Sequence, residues 1–295
     1  MHKIRLFYNM DMNKKWAIFS DVDGTIYPFP DKQLSEVNRA KVRELAEKNI
    51  PFVINTGNPP LAKIQRLADE LNVRYLCCSN GAMIYDNLEK KALHTELIDR
   101  AKAEIIWDLA LKHQVTLYYM GNDQYYMYNS TPETNEFLTT FNEYNDWIRD
   151  GRINEDLHKI EAYGLAQNLE NFHKACLQAQ IPLDIINVSN KYIEITNIGI
   201  SKASGMKWLC ENVFQAPLED VMVIGDSAND IPMFKAAGYS YAMDNADKLT
   251  KAAAKYYTSA VEQDGLAEAI DDYLYRSDFE LKRAISQQQS KKNKK

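Results

Sequence analysis

Short uninterrupted apolar runs alternate with helical patterns at both ends of the chain, and this alternation most constrains the fold. Near the N-terminus, residues 16–20 form a first run, 33–48 are helical in composition, and 52–55 form a second run. Leu61, Ile64, Leu67, Ala68 and Leu71 then fall at helical spacing before a third run at 75–79. Near the C-terminus, Met206, Leu209, Cys210 and Val213 mark a helix face, and 221–224 is a run ending in Gly225-Asp226. Helices are expected over 230–237, 246–254 and 265–275, separated by short strands at 240–243 and 256–258. Strand alternating with helix is the mark of a parallel sheet with crossover helices, and runs without polar interruption mean strands covered on both faces. Asn49 and Asn72 stand where left-handed helix C-caps belong.

Residues 81–200 follow other rules. A hairpin is expected over 118–128 through Gly121-Asn122-Asp123, 192–196 alternates, and the rest reads as helical, so this insert is α+β. Turn chemistry brackets it, Asn80-Gly81 before and Asn197-Ile198-Gly199 after, as linkers of an inserted domain would. The expected organisation is a discontinuous α/β core of residues 1–80 and 201–280, an inserted domain at 81–200, and a disordered basic tail at 281–295. The first dozen residues are weakly patterned, with Met10 or Met12 as alternative starts.

Composition narrows the class. With 45% hydrophobic and 26% charged residues in 295, collagen-like, disordered and coiled-coil chains are excluded. No apolar run approaches the roughly 20 residues that cross a bilayer, and no signal-peptide pattern opens the chain, so a cytoplasmic protein is expected. Net charge is −6, and because 281–295 holds six basic residues and no acid, the remainder carries −12. Such a body is a poor partner for nucleic acid or anionic membrane. The four cysteines form no C-x-x-C spacing and read as reduced thiols. Five histidines without H-x-x-x-H spacing argue against a zinc hydrolase, and no P-loop pattern occurs. Tyr118, Tyr119, Tyr125, Tyr126 and Tyr128 read as faces of a sheet before they read as a stacking site.

Asp21-Val22-Asp23-Gly24-Thr25 directly follows the first run. In extended backbone residues i and i+2 point the same way, so both carboxylates would emerge at the carboxyl end of a central strand, where open α/β sheets build their sites. A polar turn would give the same letters. Three further strand ends or helix starts carry matching groups: Asn55-Thr56-Gly57-Asn58, Lys202, and Gly225-Asp226-Ser227-Ala228-Asn229-Asp230. Singly each has an ordinary explanation as a cap, a solvated lysine or an acidic turn. Together they suit phosphoryl transfer through an aspartyl phosphate.

Asp21 is already an anion at neutral pH and needs no base to attack phosphorus. Mg²⁺ takes oxygen ligands in an octahedron, and Asp21, Asp23, Asp226 and Asp230 form the expected metal site, with Asp21 and Asp226 as direct ligands and Asp230 orienting it. Asp23 is the expected acid and base, protonating the leaving alcohol and then deprotonating water. Lys202 would pair with Asp21 and a phosphate oxygen, Thr56 would donate its hydroxyl, and amides of Gly24 and Gly57 would close the cradle, with Asn229 a further contact.

DVDGT, NTGN, an insert, a lone lysine and GDSAND resemble, in order, the four motifs of the haloacid dehalogenase superfamily. The insert between the threonine motif and the lysine resembles the Cof-type phosphatases with a type B cap, subclass IIB, as do Asn80-Gly81-Ala82, Asn245-Ala246 and Asp264-Gly265. The resemblance implies a Rossmann-like core, a cap over the site, Mg²⁺ dependence and a small phosphorylated metabolite, a sugar or polyol phosphate, as substrate. Asn58 departs from the pattern, standing where the second motif usually has arginine; it can still donate hydrogen bonds and is expected to contact the substrate or the cap, with catalysis kept. A phosphomutase of the same chemistry and a phosphometabolite-binding protein without turnover are the alternatives.

Overall fold

A computed structural model describes residues 16–31, 33–122, 124–139, 147–149, 153, 155–189 and 192–292. Its strands in chain order are β1 (Ala17–Ser20), β2 (Phe52–Asn55), β3 (Tyr75–Cys78), β4 (Met83–Asp86), β5 (Lys91–Thr95), β6 (Thr116–Gly121), β7 (Tyr125–Tyr128), β8 (Ile148–Arg149), β9 (Leu157–Tyr163), β10 (Asp184–Ser189), β11 (Tyr192–Thr196), β12 (Val221–Gly225), β13 (Tyr239–Ala242) and β14 (Tyr256–Tyr257). The longer helices are α1 (Glu36–Glu47), α2 (Ala62–Leu71), α3 (Arg100–His113), α4 (Pro132–Thr139), α5 (Ala166–Gln178), α6 (Lys202–Leu209), α7 (Ile231–Ala236), α8 (Lys248–Ala253) and α9 (Gly265–Lys292).

The chain divides into two compact units. The first gathers the residues up to Asn55, Glu70–Val73 and those from Met206 on, and the second Thr56–Asp69 and Arg74–Gly205. In the first unit β14, β13, β12, β1 and β2 lie side by side, all parallel, the strand-alternating-with-helix arrangement expected. Every residue of β1, β2, β12 and β13 is buried, the polar Ser20, Asn55 and Ser240 included, as in strands covered on both faces. Ser35 caps α1 by accepting from the Asn38 amide, and Asn49 and Asn72 adopt left-handed φ of 57° after their helices, as expected.

In the second unit β3, β4 and β5 form an antiparallel meander, and a six-stranded sheet runs in the order β10-β11-β9-β6-β7-β8. One face of this sheet, with Leu117, Tyr119, Ile160, Ala162, Ile193 and Ile195, packs with Ile106, Trp107 and Ala110 of α3 and Leu169 and Phe172 of α5 into an apolar core. The hairpin β6–β7 and strand β11 fall where expected, although Asp123 lies outside the described residues.

Two expectations need correction. The remainder of the insert is only partly helical: α3, α4 and α5 are helices, but β4, β5, β9 and β10 are strands. β9 reads LHKIEAY, in which polar and apolar residues alternate only over 159–162, and the polar ones are buried as well. Nor is the segment after residue 281 a disordered tail as far as the described residues go: α9 continues to Lys292. From 266 to 292 it contains neither glycine nor proline, and Asp272–Arg276 and Asp278–Lys282 pair one turn apart in the favourable order. The possible start at Met10 or Met12 and residues 293–295 lie outside the described residues.

Candidate active site

Parallel pairing of β1 with β12 sets Ser20 opposite Ile224, so the two strands end at one level. The Asp21 amide still donates to Ile224 O at 3.0 Å, continuing the ladder by one step, and Asp226 follows one residue beyond Gly225. Carboxylate oxygens of Asp21, Asp226 and Asp230 consequently converge, all within 4.8 Å of one another. Asp21 and Asp230 are buried and Asp226 is half-buried.

Local sequence explains each position. Asp230 Oδ2 accepts from the amides of Asp226 and Ser227 at 2.9 and 3.0 Å, closing the turn after β12 as a capping box. A Cβ on Gly225 would overlap the Asp230 carboxyl group, so only glycine fits there. Gly24 has φ of 86°, and a Cβ on it would collide with the Asp226 carboxylate. Its amide donates to Tyr27 O at 2.9 Å, which corrects the expectation that this amide would close a phosphate cradle: the tight turn consumes it. Asn229 accepts from the Ser227 hydroxyl through Oδ1 at 2.8 Å. Asp23 pairs as a single bridge with Tyr27 and is not among the three converging carboxylates.

Two contacts were not anticipated. Asn245 Nδ2 donates to Gly24 O at 2.9 Å and reaches Asp226 Oδ2 at 3.4 Å, while its Oδ1 accepts from the Val261 amide. The Thr25 hydroxyl donates to Asp226 Oδ1 at 3.3 Å. Asn245-Ala246 was legible as a subfamily mark, but its separation of 19 residues from Asp226 gave no hint of contact.

Three hard, anionic oxygen donors in one cluster fit a divalent cation such as Mg²⁺, which prefers oxygen ligands and keeps several waters. Asp21, Asp226 and Asp230 are the residues that would hold it.

The second unit contains the other expected residues. Thr56, directly after β2, is buried, and its hydroxyl accepts from the Asn58 amide at 3.1 Å and from Asn58 Nδ2 at 3.2 Å. Gly57 O accepts from Lys159 Nζ at 2.9 Å. Lys202 opens α6 as expected and is fully buried. Its charge pulls the Cys77 thiol downward, but burial dominates and pushes that thiol up to about 12. Cys77, Cys78, Cys176 and Cys210 are free and buried, in keeping with the reading as reduced thiols.

A second charged group surrounds Lys159 on the sheet face opposite the apolar core. Lys159 Nζ lies 2.7 Å from both Glu161 and Glu194, Glu194 also accepts from Asn80 Nδ2 at 2.8 Å, and Glu161 from the Tyr163 hydroxyl at 2.8 Å. Burial alone would push the Lys159 ammonium down, but the two carboxylates, by charge and hydrogen bond, hold it above the ordinary lysine range. Next to it, burial and then the Lys159 charge push the His158 imidazole down to about 3. Its Nε2 meets Ser79 Oγ at 3.0 Å. Tyr118, Met120, Met127, Trp147 and Tyr163 pack on the same face, with Tyr125 and Tyr192 against them.

The haloacid dehalogenase-like hydrolase family matches residues 18–270. The Bacillus subtilis 5-amino-6-(5-phospho-D-ribitylamino)uracil phosphatase YcsE is 32% identical over 260 residues, covering 86% of this chain and 94% of its own. A haloacid dehalogenase-like hydrolase from Bacteroides thetaiotaomicron superposes with a TM-score of 0.77 at 26% identity, covering 88% of this chain and 99% of its own. The subclass IIB sugar phosphatase BT4131 shares the fold, with a TM-score of 0.76 at 20% identity over 87% of this chain and 98% of its own. Among the described residues no helix is long and apolar enough to cross a membrane. With the motifs in order, the acidic cluster at parallel strand ends and a family match over most of its length, the chain belongs to the haloacid dehalogenase-like hydrolases.

Proposed function

We propose that the chain is a Mg²⁺-dependent phosphatase that hydrolyses a small phosphorylated metabolite through a phospho-aspartate on Asp21. The observation that carries this reading is the convergence of Asp21, Asp226 and Asp230 within 4.8 Å at the carboxyl ends of adjacent parallel strands. When bound there, Mg²⁺ supplies screening of phosphate charge. Asp21 attacks phosphorus; the new O–P bond forms as the bond to the leaving alcohol breaks. Asp23 gives its proton to that alcohol, then takes one from the water that attacks phosphorus and frees Asp21. Thr56 and Lys202 donate to the phosphate oxygens, with the Gly57 amide beside them. Asn229, Asp230 and Asn245 hold the turn that presents Asp226, and residues 81–200 select the leaving group.

The substrate we propose is a polyol phosphate carrying a flat heterocycle, the type named for YcsE. The similarity to YcsE, which spans 86% of this chain and 94% of that protein, supports it.

The test is phosphate release from a panel of sugar phosphates, polyol phosphates, nucleotides, flavin mononucleotide, pyridoxal phosphate and 5-amino-6-(5-phospho-D-ribitylamino)uracil. Release with Mg²⁺, lost with EDTA and with Asp21→Asn, is expected, and highest for the ribityl compound. Turnover surviving Asp21→Asn would sink the mechanism, and preference for a simple hexose phosphate would replace the substrate. Transfer to a sugar acceptor would indicate a mutase, and tight binding without turnover a binding protein.

A further inference from the structure

The Thr56 hydroxyl has two acceptor lone pairs and one proton. Both lone pairs are engaged by one residue, the backbone amide of Asn58 at 3.1 Å and its side-chain Nδ2 at 3.2 Å. The proton is therefore left to donate. Further hydrogen bonds hold the loop around it: the Thr56 amide donates to Cys77 O at 2.8 Å, Thr56 O accepts from the Asn80 amide at 3.0 Å, and Asn58 O accepts from the Ser79 amide at 2.8 Å. Lys159 holds Gly57 O at 2.9 Å. Thr56 is only 1% exposed, so its donor cannot be satisfied by bulk water without cost. A phosphate oxygen is the acceptor that such a fixed donor suits best, by a charge-assisted hydrogen bond.

We infer that Asn58 is a positioning residue that sets the Thr56 hydroxyl as an obligatory donor to the substrate phosphate. An arginine at this position would bring a charge; asparagine instead fixes the direction of a neighbouring dipole. The inference rests on the phosphatase reading for its substrate, but its logic concerns phosphate binding and can be tested without turnover.

The experiment is a double-mutant cycle on the full chain with Mg²⁺, read twice: as the affinity for inorganic phosphate by calorimetry, and as kcat and KM for p-nitrophenyl phosphate. Asn58→Ala should weaken phosphate binding and lower kcat by about tenfold each, and Thr56→Val by about 10²-fold in kcat. In the Thr56→Val background Asn58→Ala should add less than about twofold, because the hydroxyl through which it acts is gone. In the Thr56→Ser background, which keeps a hydroxyl, the cost of Asn58→Ala should return to about tenfold. Independent losses that multiply in Thr56→Val, or an Asn58→Ala that changes neither phosphate affinity nor kcat, would overturn the inference. A wild-type chain that binds phosphate but releases none from any ester would overturn the phosphatase reading alone, and the cycle would still be read from binding.

Discussion

The carboxylates of Asp21, Asp226 and Asp230 sit just beyond the ends of strands and share one sign, whereas Lys159, Glu161 and Glu194 sit within strands and mix signs. In the first group like charges are brought within 4.8 Å of one another by turns that depend on glycine at 24 and 225. In the second, a fully buried ammonium is matched by two carboxylates whose oxygens also take the Tyr163 hydroxyl and the Asn80 amide. Crowding charges of one sign stores repulsion that a bound cation relieves, so such a cluster is built for a ligand. A mixed cluster with its hydrogen bonds made holds a particular packing instead, and fails when one partner is lost.

The comparison breaks most sharply if Asp226→Ala behaves like a structural mutation. It should lower phosphate release by about 10³-fold or more while leaving the melting temperature unchanged or higher, since it removes repulsion. A large loss of melting temperature would put the acidic cluster in the structural class. Lys159→Met should do the opposite: it leaves two buried carboxylates uncompensated and should cost about 3–5 kcal/mol in urea unfolding. Replacing Glu161 and Glu194 by glutamine in the same chain should recover most of that loss, and a triple variant less stable than the single would show that the charges themselves carry no strain.

His158 sharpens the comparison through pH. Its folded value of about 3 lies below the ordinary 6.5, so the unfolded chain binds the proton first as pH falls. The stability linked to it is complete above about pH 6.5 and is lost progressively toward pH 3, by about 2 kcal/mol between pH 6.5 and 5. Chemical unfolding at the two pH values should show that slope, and His158→Gln should flatten it. The smallest expected effect is at Asn245, which touches Asp226 and Gly24 O without belonging to the cluster. Asn245→Ala should weaken Mg²⁺ affinity by about tenfold, measured by metal titration of activity.

Much of the first unit was legible because its central strands are mostly apolar and three of them end in a motif: β1 before Asp21, β2 before Thr56, β12 before Asp226. The second unit was less so. β9 buries Lys159 and Glu161 alongside Ile160 and Ala162; the alternation covers four residues, and charged residues read as buried only once a partner strand supplies the counter-charge. Glu194 faces Glu161 across β9 and β11, a pairing fixed by register between residues 33 apart rather than by local sequence. Asn58 looked like a lost charge because a motif records residue types; its hydrogen bonds to Thr56 appear only with the loop's backbone in place. The end of α9 was mistaken because low complexity was weighed above the absence of any helix breaker.

The paired ends of β1 and β12 carry one more consequence. A site presented by two strands in register is encoded in residue counts as much as in residue types. Deleting one residue within β12 would draw Asp226 back by about 3.3 Å and turn its side chain to the opposite face, with every motif letter still present. Within these strands the chain should tolerate exchanges among apolar residues far better than any change of length, so in comparing relatives a gap inside β1 or β12 would be stronger evidence of lost activity than a dozen substitutions there.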